Sequence, residues 1–255
     1  MRLTIQERLL KGSTLLNGVL IPMSAIGDSL ARYVTNLVVK QDDPVYRVSI
    51  PGSASLLQYR GSYFLVCCRH QLKGVDFERV GLLSAEGSSL FTSAGVRHHL
   101  LRTESDFSDL IVFDFTEPCR DRPELRDRFF RFREIPPDGV NSDTIFVQVT
   151  GFPSDDQKYE LGEKNHLGSV KRRILCELAP PPADDALVRL RPFEPLQFDP
   201  DGLSGGSAYT VQMVAGQPTA FFAGIVVRAG QTDIYVLKSG YIRSFLNAMV
   251  DEDPI

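Results

Sequence analysis

Nine short runs rich in β-branched and aromatic residues fill the chain from residue 45 onward, and they constrain the fold more than any other feature. They are VYRVSI, ASLLQYR, SYFLVCC, VGLLS, DLIVFDF, TIFVQVT, AYTVQMV, AFFAGIVV and DIYVLK, with Gly, Pro, Asn and Asp between them. Such residues suit a pleated, half-buried surface, and the residues between them suit turns. Many short strands in succession imply a sandwich or barrel rather than alternating βαβ units. The stretch QYRGSYF reads as a hairpin turning at Arg60, Gly61 and Ser62. The run REIPPDGVNSD, residues 133–143, splits the strands into two groups of similar length. The expectation is two packed β-barrels, the first over about 41–132 and the second over about 144–250, joined by that linker.

The ends have a different character. Residues 1–40 are expected to form a partly helical extension, with DSLARYVTNLVV as a helix capped by Asp28 or Ser29. At the other end, Ile242, Phe245, Leu246 and Met249 recur at the spacing of one helical face, with Ser239 as a cap. The apolar TLLNGVLIPMSAIG faintly echoes a secretory signal, but Glu7, Asn17 and Pro22 argue against one. No run reaches the roughly 18 apolar residues that span a bilayer. A cytoplasmic protein without membrane contact is expected.

Composition excludes further classes. A net charge of −4 over 255 residues argues against a nucleic-acid binder, and the basic VKRR cluster at 170–173 reads as a solvated face. The four cysteines, Cys67, Cys68, Cys119 and Cys176, include an adjacent pair and do not form a disulfide framework pattern. Cys67, Cys68 and His70 suggest a metal cluster on paper. Adjacent strand residues point to opposite faces, however, so packing is the expectation and no metal or cofactor is assigned.

Chemistry enters at DPDGLSGGSAYT, where Ser204 stands among Gly202, Gly205 and Gly206 in a G-x-S-x-G pattern. A serine hydroxyl needs a neighbouring base, usually a histidine oriented by a carboxylate. His70, His98, His99 and His166 all precede Ser204, which excludes the α/β-hydrolases, whose histidine follows the serine. His70 ends the run SYFLVCCRH, and Asp109 opens DLIVFDF. Their order and spacing with Ser204 match a His–Asp–Ser arrangement. His98, His99 and His166 lack such a setting and are read as structural, while Asp106 and Asp114 flank Asp109 and compete with it less well.

Together these stretches resemble the trypsin-like serine peptidases. FLVCCRH is similar to their strand-plus-histidine motif, DLIVF to their aspartate motif and GLSGGS to their G-x-S-G-G-P; VQVTGFP and AGIVV resemble two strands of their second barrel. The resemblance covers about residues 45–248 and is closest to the disulfide-free bacterial branch. It implies an all-β, chymotrypsin-like fold of two packed six-stranded antiparallel barrels with a C-terminal helix. It also implies a serine endopeptidase acting on protein or peptide substrates through an acyl-enzyme. His70, Asp109 and Ser204 would be catalytic, with the backbone N–H groups of Gly202 and Ser204 as the oxyanion hole. A non-catalytic peptide- or partner-binding module on the same fold is the alternative.

Three departures from the family pattern carry information. Leu203 stands where activatable digestive members have an aspartate that pairs with a newly cut N-terminus, so the chain is expected to be active unprocessed or controlled by a partner, with residues 1–40 as a possible docking segment. Gln71 stands where many secreted members have a disulfide cysteine, which agrees with a reducing compartment. Phe198 and Asp233 are the candidates for the substrate pocket, and they conflict over what side chain it would take.

Overall fold

In a computed structural model, the structure describes residues 12–100, 103–136, 139–160 and 166–252. The chain opens with the hairpin β1 (Ser13–Leu16) and β2 (Val19–Pro22), followed by helix α1 (Ile26–Ala31). The first sheet takes β3 (Val34–Lys40), β4 (Val48–Tyr59), β5 (Ser62–Cys68), β6 (Val80–Leu83), β7 (Leu90–Thr92), β8 (Gly95–His98) and β9 (Leu110–Asp114). Two single-turn helices, α2 (Thr116–Cys119) and α3 (Pro123–Arg126), lead to the short β10 (Phe130–Arg131). The second sheet is built from β11 (Thr144–Gly151), β14 (Arg172–Leu178), β15 (Leu187–Pro192), β16 (Ser207–Val214), β17 (Gln217–Ala229) and β18 (Ile234–Lys238). A separate hairpin of β12 (Gln157–Glu160) and β13 (His166–Ser169) projects from it, and helix α4 (Ser239–Glu252) ends the described chain.

The second sheet runs β16-β11-β14-β15-β18-β17, and pairing of β17 back onto β16 closes it as a six-stranded antiparallel barrel. The first, in order β7-β6-β3-β4-β5-β9-β8, stays open as a half-barrel. Tight hairpins set the registers. Asn17–Gly18, Arg60–Gly61 and Ala215–Gly216 each place two consecutive residues at positive φ, as two-residue turns that match strand twist require. The expected QYRGSYF hairpin is the second of these, with β5 resuming at Ser62.

Each sheet encloses its own apolar cluster, around Leu37, Leu56, Leu65 and Phe113 in the first and Val149, Ala208 and Val226 in the second. A third cluster lies between them and draws on both, with Phe64, Val66 and Val112 packed against Tyr209, Phe222 and Ile225. Edge-on aromatic contacts such as Phe130–Tyr209 and Phe132–Phe222 stiffen this seam. Helix α4 adds Ile242, Phe245 and Leu246 to it on the face that the periodicity predicts, and Met249 packs partly against the same cluster.

The N-terminal region departs from expectation. The helix read over DSLARYVTNLVV ends at Ala31, and Val34–Lys40 is a strand between β4 and β6. The reason is local: Val34, Thr35, Val38 and Val39 lose side-chain freedom in a helix and fit a pleated surface. The first sheet therefore takes in residues from Val34 onward. β1 adds in parallel to β17, so the same segment reaches both sheets.

Candidate active site

Ser204, His70 and Asp109 line one open cleft of about 610 Å³ between the two sheets. His70 lies on the tight 3-10 turn that follows β5, and Asp109 closes a similar turn immediately before β9. Because β5 and β9 pair from Cys68↔Leu110 onward, both residues leave the sheet at the same end. His70 Nδ1 and Asp109 Oδ2 are 2.5 Å apart, and Asp109 Oδ1 accepts from the His70 backbone N–H at 3.0 Å. Two bonds to one carboxylate fix both the plane of the ring and the nitrogen that carries the proton. The ring is 47% exposed while the carboxylate is 20% exposed, so the imidazole keeps its other edge open to the cleft.

Ser204 comes from the second sheet, in the loop between β15 and β16. Four successive carbonyls of that loop are held. Gly202 O accepts from Ser53 Oγ at 2.7 Å, Leu203 O from Gly206 N, Ser204 O from Ser53 N and Gln71 Nε2, and Gly205 O from Ser55 Oγ. Of the amides, Leu203 N donates to Pro200 O and Gly205 N to Val226 O. The N–H groups of Gly202 and Ser204 have no acceptor among the described residues. Main-chain donors without a protein partner are left to water or to a bound acceptor, and these two stand on alternate residues beside a serine hydroxyl. Glycine is required at 202: φ is 87°, and a methyl group there would lie 2.7 Å from Phe152 O. The Ser204 hydroxyl donates to Val227 O over a long 3.4 Å.

Gly205 is more tightly placed still. Its φ is 79° and a side chain would collide with the Ser53 carbonyl, across the seam between the sheets. Gly205→Ala is therefore expected to destabilise the protein by about 2–5 kcal/mol, from backbone strain and overpacking together. A thermal melt should show a fall of roughly 10 °C; an unchanged melting temperature would mean that the seam yields freely.

The remaining sequence candidates lie elsewhere. Phe198 packs against the core of the second barrel with the Arg172 guanidinium over its ring, and Asp233 is bound by Arg189 at 2.8 Å, its carboxyl held below the usual range by that bond. Neither is among the residues that line the cleft with Ser204. Their facing depends on the barrel's twist, which spacing along the chain does not encode. Asp106 does line the cleft, 2.7 Å from Arg228 Nε by distance although that N–H is not aimed as a hydrogen bond. Asp114 caps the Thr116 N–H. His99 packs edge-on against Phe107 and tilted against Phe245, and its pKa is lowered by burial. The side chain of His166 lies outside the described residues. The basic cluster is anchored: Arg172 pairs with Asp156, Arg173 with Asp28, and Lys171 donates to Ala31 O.

The adjacent cysteines point apart, Cys67 into the first barrel and Cys68 toward the seam. Donor atoms of Cys68, His70 and Asp109 consequently fall within 4.8 Å of one another. Burial pushes the Cys68 thiol well above its usual pKa, and Sγ donates to Val226 O. An ion here would have to take that proton and also open the His70–Asp109 bond.

Three residues hold the Ser204 loop, Ser53, Ser55 and Gln71, and sequence reasoning gave none of them that part. Two were signalled: small polar residues two apart within an apolar strand, in PGSAS, place hydroxyls on one buried face.

No protein-family model and no curated protein matches the chain. Among solved structures it is similar to a mutant of human heparin binding protein, at 12% identity and a TM-score of 0.54, over 88% of this chain and 95% of that one. That likeness and the closed barrel packed on a half-barrel with a C-terminal helix define a chymotrypsin-like fold.

Proposed function

We propose that the protein is a serine endopeptidase that cleaves protein or peptide substrates through an acyl-enzyme on Ser204. One observation above all supports this reading. A serine hydroxyl and an imidazole bonded to a carboxylate line one cleft from two different sheets, and in the serine's own loop two amides, of Gly202 and Ser204, find no acceptor among the described residues. In this mechanism Ser204 Oγ attacks the scissile carbonyl carbon while His70 Nε2 takes its proton. The oxygen that becomes negative accepts from Gly202 N and Ser204 N. His70 then protonates the leaving amine, and water repeats the sequence to release the acyl group. Asp109 keeps the proton of neutral His70 on Nδ1 and stabilises the imidazolium. The 3.4 Å bond from Ser204 to Val227 O is weak enough for the hydroxyl to turn toward His70.

We place the chain in a reducing compartment, in keeping with four buried cysteines that form no disulfide. A docking partner would meet Val19 and Leu20 on the exposed strand β2, because Leu16, Ile26 and Leu30 are committed to the core. A fluorophosphonate probe tests the activity. The wild-type protein should label, Ser204→Ala should not, and His70→Ala should label at least about 10³-fold more slowly. Equal labelling of all three, or none of the wild type, would reject the peptidase reading and leave a binding module on this fold.

A further inference from the structure

Gln71 occupies a position that neither the imidazole nor the serine explains. It follows His70 directly, yet its carboxamide turns away from the cleft and into the seam between the sheets. Oε1 accepts from Cys68 N at 2.9 Å, at the head of the turn that carries His70. Nε2 donates to Ser204 O at 2.8 Å and to Ser53 O at 3.3 Å. The oxygen and both amide hydrogens are thus used, on three different segments. The residues packed against the two ends of the carboxamide, Gly52 and Gly205, are glycines. A side chain on Gly52 would collide with Nε2, and one on Gly205 would come within 3.0 Å of Oε1. The space is shaped for an uncharged amide of this length.

We propose that Gln71 is a positioning residue, an uncharged clamp that ties the histidine turn of the first sheet to the nucleophile loop of the second. Among the described residues Ser204 O has only one other partner, Ser53 N at a longer 3.3 Å, so Gln71 supplies the tighter of these two bonds. Holding that oxygen fixes the peptide plane between Ser204 and Gly205. Ser53 Oγ holds Gly202 O, and so fixes the plane between Gly202 and Leu203. The Ser204 N–H lies in the plane between Leu203 and Ser204, whose Leu203 O accepts from Gly206 N, and the Gly202 N–H in the plane whose Asp201 O accepts from Ser154 N. The clamp restrains both amides through the planes next to theirs. A cross-link between the sheets is thereby made by hydrogen bonds alone. Its catalytic consequence rests on the peptidase reading; the clamp itself does not.

The test uses full-length protein with two variants. Gln71→Met keeps the length and loses all three bonds, whereas Gln71→Glu keeps an acceptor for Cys68 N but turns lone pairs toward two carbonyls. Amide hydrogen exchange reads the clamp directly. Gly205 and Gly206 should exchange about tenfold faster in both variants, while Leu65 and Val112 in the first sheet stay protected. Fluorophosphonate kinetics read the consequence: the maximal labelling rate should fall about 10–100-fold with the probe's half-saturating concentration unchanged, as expected when donors to the developing oxyanion are misdirected. Unchanged exchange at Gly205 would overturn the clamp, and so would acceleration spread evenly over both sheets. Faster exchange at Gly205 and Gly206 in a protein whose wild type does not label would keep the clamp and reject the peptidase. If Gln71→Met does not fold, Gln71→Glu alone decides by the same readings.

Discussion

Replacing Asp109 with asparagine is expected to slow fluorophosphonate labelling of Ser204 by about 10⁴-fold while leaving the fold intact. The size of the effect follows from proton placement. Asp109 accepts twice, from His70 Nδ1 and from the His70 backbone N–H. An asparagine has one acceptor and one donor end. If its oxygen faces Nδ1, its NH₂ opposes the backbone N–H. If its NH₂ faces Nδ1, that nitrogen must accept and the proton moves to Nε2, which then cannot receive the serine proton. The carboxylate is largely shielded, so water does not readily take its place. Asp114→Asn provides the control: that residue caps the Thr116 N–H, and labelling should stay within about twofold. Equal losses in the two variants would mean that Asp109 acts only through general stability.

Much of this site is legible in sequence because His70 and Asp109 adjoin recognisable strands and Ser204 stands in a glycine-marked loop. His70 and Asp109 terminate paired strands, so the run that predicts the strand also predicts the position. The clamp is not legible in that way. Gln71 and Ser204 are 133 residues apart in the chain, and their contact exists only once the two sheets have docked. Local pattern carries no information about that docking. Phe198 and Asp233 illustrate the same limit from the other side, since residues near a motif in sequence were turned by the barrel toward Arg172 and Arg189. The open first sheet was equally hidden: pattern counts strands, whereas closure depends on whether the last edge reaches the first.

The N-terminal region shows the same effect at larger scale, and it yields a second expected result. A chain lacking residues 1–40 should not fold, and size-exclusion and thermal melts should find aggregate without a cooperative transition. From sequence this segment reads as a partly helical extension ahead of the peptidase-like part. Leu16, Ile26, Leu30, Tyr33, Val34, Leu37, Val38 and Val39 are nevertheless buried. At about 1.5–3 kcal/mol each, removing these eight side chains withdraws roughly 12–24 kcal/mol of apolar burial as an upper estimate. Domains of this kind have only about 5–15 kcal/mol to lose. The damage is also topological. β3 is the link between β6 and β4, so its loss detaches β6 and β7 and bares the edge of the twelve-residue β4, which invites pairing with other chains. A soluble monomer with a sharp melt after this truncation would contradict the account. If the truncated chain fails as expected, control by trimming at residue 40 is closed to this protein, and any activating partner has to act on an N-terminal segment that stays in place.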